Sequence, residues 1–215
     1  MRVERSMHPD WLSNAYLVWD EGTREAYFVD SGAPLDPLIA AVEREDLDVK
    51  GLLTTHGHHD HVAGDGELAR RFGIEGGRYA DWAETIPTPG HSDDHVAFAG
   101  EGLCFSGDLL FKDAVGGGDA ATIRASVLRL LELPDETRVL PGHTDETTIG
   151  RERAENPFLR YWLGDAPALD EPCRVAGEDA TLLVWSPDYD GKGKALVRLA
   201  RGREAIVGGS RVERA

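Results

Sequence analysis

The chain has 215 residues, of which 39 are acidic and 23 basic, giving a net charge of −16. This length can bury one substantial core with a small addition, and the charge argues against a nucleic-acid partner because it would repel a phosphate backbone. The sequence has no run of about 18 apolar residues to span a membrane and opens with no basic-then-apolar leader, so we expect a cytoplasmic protein with no membrane partner.

The first third of the chain predicts alternating strands and helices. Hairpin strands are predicted over Asn14–Trp19 and 26–29, and a helix over Asp36–Glu45. The short, largely apolar run at 49–54 is typical of a buried strand, and another helix is predicted over 62–72. Residues 55–61, which lie between these two elements, therefore form a strand-to-helix loop.

That loop reads THGHHDH and contains the densest chemistry of the sequence. His56, His58, Asp60 and His61 have HxHxDH spacing, which lets side chains two residues apart converge on one ion while their neighbours turn toward a second. Imidazole and carboxylate ligands suit zinc, iron or manganese, and no cysteine lies nearby to favour a softer ion. The loop is predicted to bind metal.

Three further residues follow a glycine after a predicted strand: His91, Asp108 and His143. A glycine before each permits a sharp turn that directs the side chain toward a common centre. His8, His59 and His95 lie outside these motif positions, and we expect no ligand role for them. Four loops thus supply candidate ligands, as expected for a site at the ends of strands.

The second half of the chain predicts a helix and then a change of character. The helix covers 120–133 behind an Asp119 cap. After residue 163 a linker is predicted at 165–172, and three strands follow at 181–185, Lys194–Leu199 and 204–207, with turns at 187–193 and 201–203. We predict a main domain at 1–163 and a small β-rich extension at 164–215. The extension should dock on the main domain or on a second subunit, and the second case would give a homodimer.

The four motifs together resemble the metallo-β-lactamase superfamily, and within it the glyoxalase II-like hydrolases. They match in order at His56, His58, Asp60, His61, His91, Asp108 and His143, and residues 106–111 and 147–158 strengthen the likeness to that subgroup. The resemblance covers about residues 1–163. It implies an α+β fold, the four-layered αββα sandwich, where periodicity alone indicates only mixed α and β structure.

The resemblance also implies a dinuclear metal centre. One ion would bind His56, His58 and His91, the other Asp60, His61 and His143, with Asp108 as a bridge. The two ions are expected to be zinc, with iron or manganese as alternatives, and a bridging hydroxide would attack a thioester or related ester of a small acyl-thiol substrate. Asp60 and Asp108 would be the catalytic residues. Asp30 resembles a supporting position that hydrogen bonds to the HxHxDH loop, although an Asp before Ser-Gly is also an ordinary turn residue.

The sequence departs from the glyoxalase II pattern in three places. The β-like tail has no evident counterpart of the helical, basic segment that recognises glutathione, and Lys112 with residues 113–118 replaces the expected Gly-Lys or Gly-Arg element. The interval from His61 to His91 is short, which predicts either an open cleft, with Tyr79 and Trp82 as candidate lining residues, or a perturbed site.

Two other functions stay open at this point. A mononuclear iron enzyme resembling persulfide dioxygenases would use His56, His91 and Asp108, and a non-catalytic module would use metal only to stabilise its fold. A β-lactamase is less well supported, since no cysteine occupies a ligand position. The two cysteines, Cys104 and Cys173, are far apart, and Cys104 is predicted to be a buried, inert thiol in a strand.

Overall fold

Two five-stranded sheets form the centre of the molecule in the computed structural model, which describes residues 1–188 and 191–214. The first sheet has the order β1-β2-β3-β4-β5, with β3, β4 and β5 parallel. Its elements in chain order are β1 (Arg2–Met7), β2 (Asn14–Trp19), β3 (Glu25–Val29), α1 (Asp36–Glu45), β4 (Asp48–Leu53), α2 (His59–Val62), α3 (Asp65–Phe72) and β5 (Gly76–Gly77).

The second sheet has the order β13-β12-β8-β7-β6, and β8 and β12 are parallel neighbours. The elements of this part are β6 (Glu84–Pro87), β7 (Val96–Gly100), β8 (Leu103–Gly107), β9 (Leu110–Phe111), β10 (Ala114–Val115), β11 (Gly118–Asp119), α4 (Ala120–Leu130), β12 (Arg138–Pro141), β13 (Thr147–Thr148), α5 (Ile149–Glu155) and α6 (Pro157–Leu163). Because parallel strands end at the same edge, the loops after β8 and β12 emerge side by side.

Three layers of apolar side chains separate four layers of secondary structure. One core lies between the first sheet and helices α1 and α3, with Phe28 and Leu38 fully buried. A second lies between the two sheets around Phe98 and Phe105. The third packs the second sheet against α4, α5 and α6 around Ile123. The predicted α+β, four-layered αββα sandwich is confirmed.

The C-terminal segment forms a third sheet, of six strands, in the order β11-β17-β16-β15-β14-β18. Its own strands are β14 (Glu171–Val175), β15 (Glu178–Ser186), β16 (Lys194–Leu199), β17 (Glu204–Gly208) and, after a 3-10 turn at Gly209–Arg211, β18 (Val212–Arg214). One face packs in the third core through Leu183, Val184, Leu196 and Ile206, and the other encloses a small core around Leu182 and Val197. The sheet thus docks on the main part of the same chain, and the division at residue 163 stays a prediction.

Several predicted elements have the expected bounds. The strand at Asn14–Trp19, the helix at Asp36–Glu45 and the strand at Lys194–Leu199 are confirmed. Asp119 caps α4 as predicted, because its carboxylate accepts a hydrogen bond from the Thr122 backbone N–H at 3.0 Å. No helix within the described residues has the length and apolar character needed to cross a membrane.

Other predictions were wrong in detail. The helix predicted over 62–72 is broken at Gly64, whose backbone N–H donates to the Ser31 carbonyl at 3.0 Å and where a Cβ would lie 2.6 Å from that oxygen. Helix α4 ends at Leu130 instead of residue 133. Strand β14 begins inside the predicted linker at 165–172. Two residues of the predicted turn at 187–193, Tyr189 and Asp190, lie outside the described residues.

Candidate metal centre

All seven predicted ligands lie together at one end of the two central sheets. The HxHxDH loop leaves β4, His91 follows β6, Asp108 follows β8 and His143 follows β12. Three overlapping groups of their side chains bring one ligand atom each within 4.8 Å of one another: His56, His58 and His91; His56, His61 and Asp108; and Asp60, His61 and His143. The structure brings together every residue that the motifs singled out.

The first group is a triangle of imidazole nitrogens. His58 Nδ1 lies 3.0 Å from His56 Nε2 and 3.0 Å from His91 Nε2. Two ligands of a tetrahedral zinc ion at about 2.0–2.1 Å are about 3.3 Å apart, so the spacing approaches that of a coordination shell. His56 is buried and His58 is exposed, so this triangle opens to solvent on the His58 side.

The group of Asp60, His61 and His143, called the second group from here on, has its most open side at Asp60. His143 Nε2 lies 3.5 Å from Asp60 Oδ2, and the Asp60 side chain keeps 33% of its surface exposed, whereas the side chains of His61 and His143 are buried. The carboxylate is therefore the member of this group most accessible to solvent.

Asp108 lies between the two groups. Its Oδ1 is 3.3 Å from His61 Nε2, and its Oδ2 is 3.4 Å from both His91 Nε2 and His143 Nε2. One carboxylate thus contacts a nitrogen of the first group and two nitrogens of the second. This is the geometry that a bridging ligand requires.

Hydrogen bonds from outside the cluster fix which ring nitrogen carries the proton in His91 and in His143. His91 Nδ1 lies 3.1 Å from the Gly117 carbonyl and His143 Nδ1 lies 3.1 Å from the Trp11 carbonyl. Because a carbonyl only accepts, Nδ1 is the donor in both rings, which leaves each Nε2 lone pair directed into the centre.

Asp30 fixes two further rings. Its Oδ1 accepts from the Thr55 backbone N–H at 2.8 Å, and its Oδ2 lies 2.8 Å from both the Thr55 hydroxyl and His61 Nδ1. Since the Thr55 hydroxyl donates to Asp30, it accepts from His56 Nδ1 at 3.1 Å. The supporting role predicted for Asp30 matches these contacts. The backbone of Asp30 has φ +54°, in the left-handed region, and the three hydrogen bonds stabilise it there.

Two buried polar atoms favour a cation at this centre. His61 Nε2 and Asp108 Oδ1 lie 3.3 Å apart, but neither makes a hydrogen bond of good geometry within the residues that the structure describes. Leaving such atoms unpaired costs about 1–3 kcal/mol each, and a metal ion bound between them would satisfy both. The donor set, imidazole with carboxylate, fits zinc, iron or manganese.

The charges of the centre agree with that fit. Burial acts to lower the pKa of His61, but attraction to Asp108 and Asp30 outweighs it and raises the pKa to about 11. Burial acts to raise the pKa of Asp108, but His61 and His143 hold it well below its usual range. The centre therefore stabilises positive charge beside an ionised carboxylate, and a metal ion would take the place of the proton on His61.

Two imidazoles of the first group, those of His56 and His91, are held in the neutral form that binds metal. Burial, reinforced by the nearby His61, lowers the pKa of His56 to about 2. Burial also lowers the pKa of His91, against the attraction of Asp108. Both rings are neutral at pH 7, which is the form that binds metal.

The three glycines before the ligands are required for two different reasons. Gly90 and Gly107 have φ of +131° and +49°, which favours glycine, as the sharp turns predict. Gly142 has no such angle. A Cβ there would lie 2.3 Å from Asp108 Oδ1 and 2.7 Å from His61 Cε1, so a side chain would fill the centre itself.

His95 is a supporting residue that the motif analysis missed. Its side chain is buried, its Nε2 accepts from the Asp108 backbone N–H at 3.0 Å, and its Nδ1 donates to the Thr88 hydroxyl at 2.8 Å. It is not in any of the ligand groups. Its position just before a buried strand was the available signal, since a polar ring there must find partners inside the protein.

The short interval between His61 and His91 does not displace His91, which reaches the first group. Of the candidate lining residues, Tyr79 is 77% exposed, and Trp82 is half-buried and packs in the core between the sheets. Packing, not cleft lining, accounts for Trp82.

Lys112 is exposed and lines a cavity of about 410 Å³ together with Arg5 and Arg138.

The chain is similar to a known protein family and to named relatives. The model of the Metallo-beta-lactamase superfamily matches residues 8–86 and 83–143. A hydroxyacylglutathione hydrolase of Haemophilus influenzae is 31% identical over 209 residues, covering 74% of this chain and 98% of the relative.

Two solved structures share the fold. ETHE1 from Myxococcus xanthus matches with a TM-score of 0.65 and 28% identity, covering 73% of this chain and 84% of that one. The protein TTHA1623, solved in a di-iron-bound form, matches with a TM-score of 0.64 and 31% identity, covering 72% of this chain and 98% of that one.

Proposed function

The chain belongs to the metallo-beta-lactamase superfamily and is a metal-dependent hydrolase, and we propose that it is a dinuclear, glyoxalase II-like enzyme that cleaves a thioester or related ester. The observation that carries this proposal is the position of Asp108, whose carboxylate lies within 3.4 Å of nitrogens from both ligand groups. A structural zinc site needs only four ligands and no bridge.

The ligands divide between two divalent ions. His56, His58 and His91 would hold one, Asp60, His61 and His143 would hold the other, and Asp108 would contribute to both sites. Zinc is the proposed metal, although the same donors suit iron and manganese. The likeness to a protein solved with two iron ions supports the two-ion assignment.

The ions and the side chains have separate tasks in hydrolysis. When bound, the ions act as Lewis acids and lower the pKa of a coordinated water to about 7, which supplies a nucleophile at neutral pH. Asp60, the carboxylate most open to the cleft, accepts a hydrogen bond from the attacking water and orients it. Asp30 and the carbonyls of Trp11 and Gly117 keep the rings aligned, so the centre is preorganised.

A thioester suits this centre because the leaving thiol has a pKa of about 8.5 and can depart as the thiolate. The site then needs no side chain to protonate the leaving group. Relatives named hydroxyacylglutathione hydrolase support an acyl-thiol as the substrate class. The tail here is a β-sheet, so the thiol of the proposed substrate is not restricted to glutathione.

The protein is proposed to work in the cytoplasm on small molecules, without nucleic acid or membrane partners. Cys104 and Cys173 support this, since both are buried and neither is paired in the part of the chain that the structure describes. A homodimer is not needed to cover the C-terminal sheet, which docks within the chain.

The main alternative is the mononuclear iron oxygenase, which would use His56, His91 and Asp108 only. The convergence of Asp60, His61 and His143, of which the two histidines contact Asp108, favours the dinuclear hydrolase, because a single ion would leave that second group without a function. The non-catalytic module is disfavoured for the same reason.

The test is metal content by elemental mass spectrometry, followed by hydrolysis of S-lactoylglutathione with and without chelator. We expect two ions per chain and chelator-sensitive cleavage. One iron per chain with oxygen consumption and no cleavage would contradict the proposal. Two ions without cleavage of any acyl-thiol in a panel of thioesters would overturn the substrate assignment.

A matched pair of variants sharpens the metal count. His143→Ala should remove about one metal equivalent and most of the hydrolysis, whereas a mononuclear oxygenase would keep its ion. The control is His59→Ala, which deletes an exposed imidazole of the same motif that lies outside the ligand groups. His59→Ala should keep both ions.

A further inference from the structure

The ligand His91 is oriented by a segment that belongs to neither the HxHxDH loop nor its own loop. Its Nδ1 donates to the carbonyl of Gly117 at 3.1 Å. Residues 116–118 are all glycine, and we call this segment the glycine strap. It is the position of the strap that decides where the Nε2 lone pair of His91 points.

The strap runs tightly against the backbone beside two ligands. The Gly116 N–H donates to the Leu109 carbonyl at 3.0 Å, and a Cβ on Gly116 would lie 1.9 Å from the carbonyl oxygen of Asp108. Gly118 has φ +147°, and a Cβ there would lie 2.2 Å from the carbonyl oxygen of Gly90. A side chain at either position would therefore push on a ligand loop.

The strap is held from its other side by the C-terminal sheet. Its last residue begins β11, which pairs with β17 in the register Gly118 to Ile206 and Asp119 to Ala205. Ile206 is 3% exposed and packs in the third core with Ile123 of α4. Strand β17 is thus the hydrogen-bonded neighbour of the segment that orients His91.

We propose that the C-terminal sheet is a positioning element of the metal centre, in which β17, anchored by Ile206, fixes the glycine strap and through the Gly117 carbonyl orients His91 for the ion that it shares with His56 and His58. Ile206 is a positioning residue, because it acts through the strap and is not itself a candidate ligand. The inference rests on the proposed metal site and is independent of the substrate.

The test is zinc affinity of the full-length protein, measured by competition with a chromophoric chelator. Ile206→Ala opens a cavity behind the strap and should raise the dissociation constant of one of the two zinc equivalents about tenfold, the lower end of the effect of losing a support of a metal ligand. The other equivalent should be unchanged. Ile206→Val, a milder truncation for the case that Ile206→Ala does not fold, should weaken the same equivalent by less.

The control is Leu182→Ala, which removes the same number of carbon atoms from the same sheet. Leu182 is fully buried, but it lies in the small core on the opposite face. Leu182→Ala should lower the free energy of unfolding and leave both zinc affinities unchanged. Equal weakening of zinc binding in Leu182→Ala and the Ile206 variants would overturn the proposal, because the effect would then be one of stability.

Unchanged zinc affinity in folded Ile206→Ala and Ile206→Val would also overturn it. Gly118→Ala is the positive control, since its Cβ would move the strap directly and should weaken the same zinc equivalent. Because zinc binding is measured without substrate, failure of this inference is distinguishable from failure of the hydrolase assignment.

Discussion

His95 Nε2 accepts a hydrogen bond of 3.0 Å from the backbone N–H of Asp108, so a histidine outside the ligand set holds the residue that lies between the two ligand groups. Burial lowers the pKa of His95 to about 4, which keeps the ring neutral and able to accept at pH 7. The position of Asp108 between the two ligand groups therefore depends on its backbone contacts as well as on its side chain.

Removal of that acceptor should be costly. His95→Ala leaves the buried Asp108 N–H unsatisfied, and the hydrogen-bonding loss alone should lower the free energy of unfolding by about 1–3 kcal/mol. Urea unfolding of the metal-free protein measures this. The exposed His59→Ala is the control and should change stability by less than about 0.5 kcal/mol. A His95→Ala variant as stable as the parent would contradict the role assigned to this hydrogen bond.

Gly142→Ala should abolish metal binding at the second group. Its Cβ would lie 2.3 Å from Asp108 Oδ1. Because this is too short for a non-bonded contact, either the Asp108 carboxylate or the backbone at residue 142 must move. Gly57→Ala is the matched control inside the HxHxDH loop, since the nearest described atom to its Cβ would be Asp94 Oδ2 at 3.7 Å. Elemental analysis of both variants should give about one ion or fewer for the first and two for the second. Full occupancy in Gly142→Ala would refute the steric argument.

Glu152 should be the most stabilising carboxylate of the α5 region. It is fully buried, and its oxygens accept from the Thr147 hydroxyl at 2.6 Å, the Asp113 backbone N–H at 2.8 Å, the Asn156 amide at 2.9 Å and Arg151 at 2.5 Å. Glu152→Ala would leave these donors unpaired and should cost about 3–5 kcal/mol in the free energy of unfolding.

The comparison for Glu152 is Glu155, which contacts the same Arg151 at 3.0 Å but keeps 60% of its side chain exposed. Glu155→Ala should cost less than about 1 kcal/mol. Thermal or urea unfolding of both variants decides the matter. Equal losses would mean that burial of Glu152 adds nothing to its effect.

Cys104 should resist thiol reagents in the folded protein. Burial raises its pKa to about 12, so at pH 8 only about one thiol in ten thousand would be ionised. Its labelling at pH 8 should be far slower than that of an exposed thiol and should become fast in denaturant. The variant Cys173→Ala isolates the Cys104 signal. Rapid labelling of native Cys173→Ala at pH 8 would contradict the buried position.

The set of candidate ligands was predictable because its motifs are local in sequence. HxHxDH, and a glycine before each of His91, Asp108 and His143, are patterns of a few residues that follow strands. The partners of these ligands are distant in sequence: Asp30 for His61, Trp11 for His143 and Gly117 for His91. Two of those three contacts use backbone carbonyls, which every residue has, so no side-chain pattern marks them.

The missed secondary structure has similar causes. Gly64 interrupts a helical pattern because the Ser31 backbone approaches it, a tertiary contact that periodicity does not contain. Strand β1 has three charged residues among six and lies at the edge of its sheet, β14 includes Pro172, and β18 is three residues long. Each of these strands is defined by its partner strand more than by its own composition.

Strand β17 is separated from His91 by more than one hundred residues of sequence, yet it is paired with the strap that His91 contacts. During synthesis, the HxHxDH loop, His91, Asp108 and His143 all leave the ribosome before this last support exists. The glycine strap that orients His91 can therefore pair with β17 only after the C-terminal sheet has been synthesised. Metal binding at His91 would therefore be completed only after the C-terminal sheet has formed.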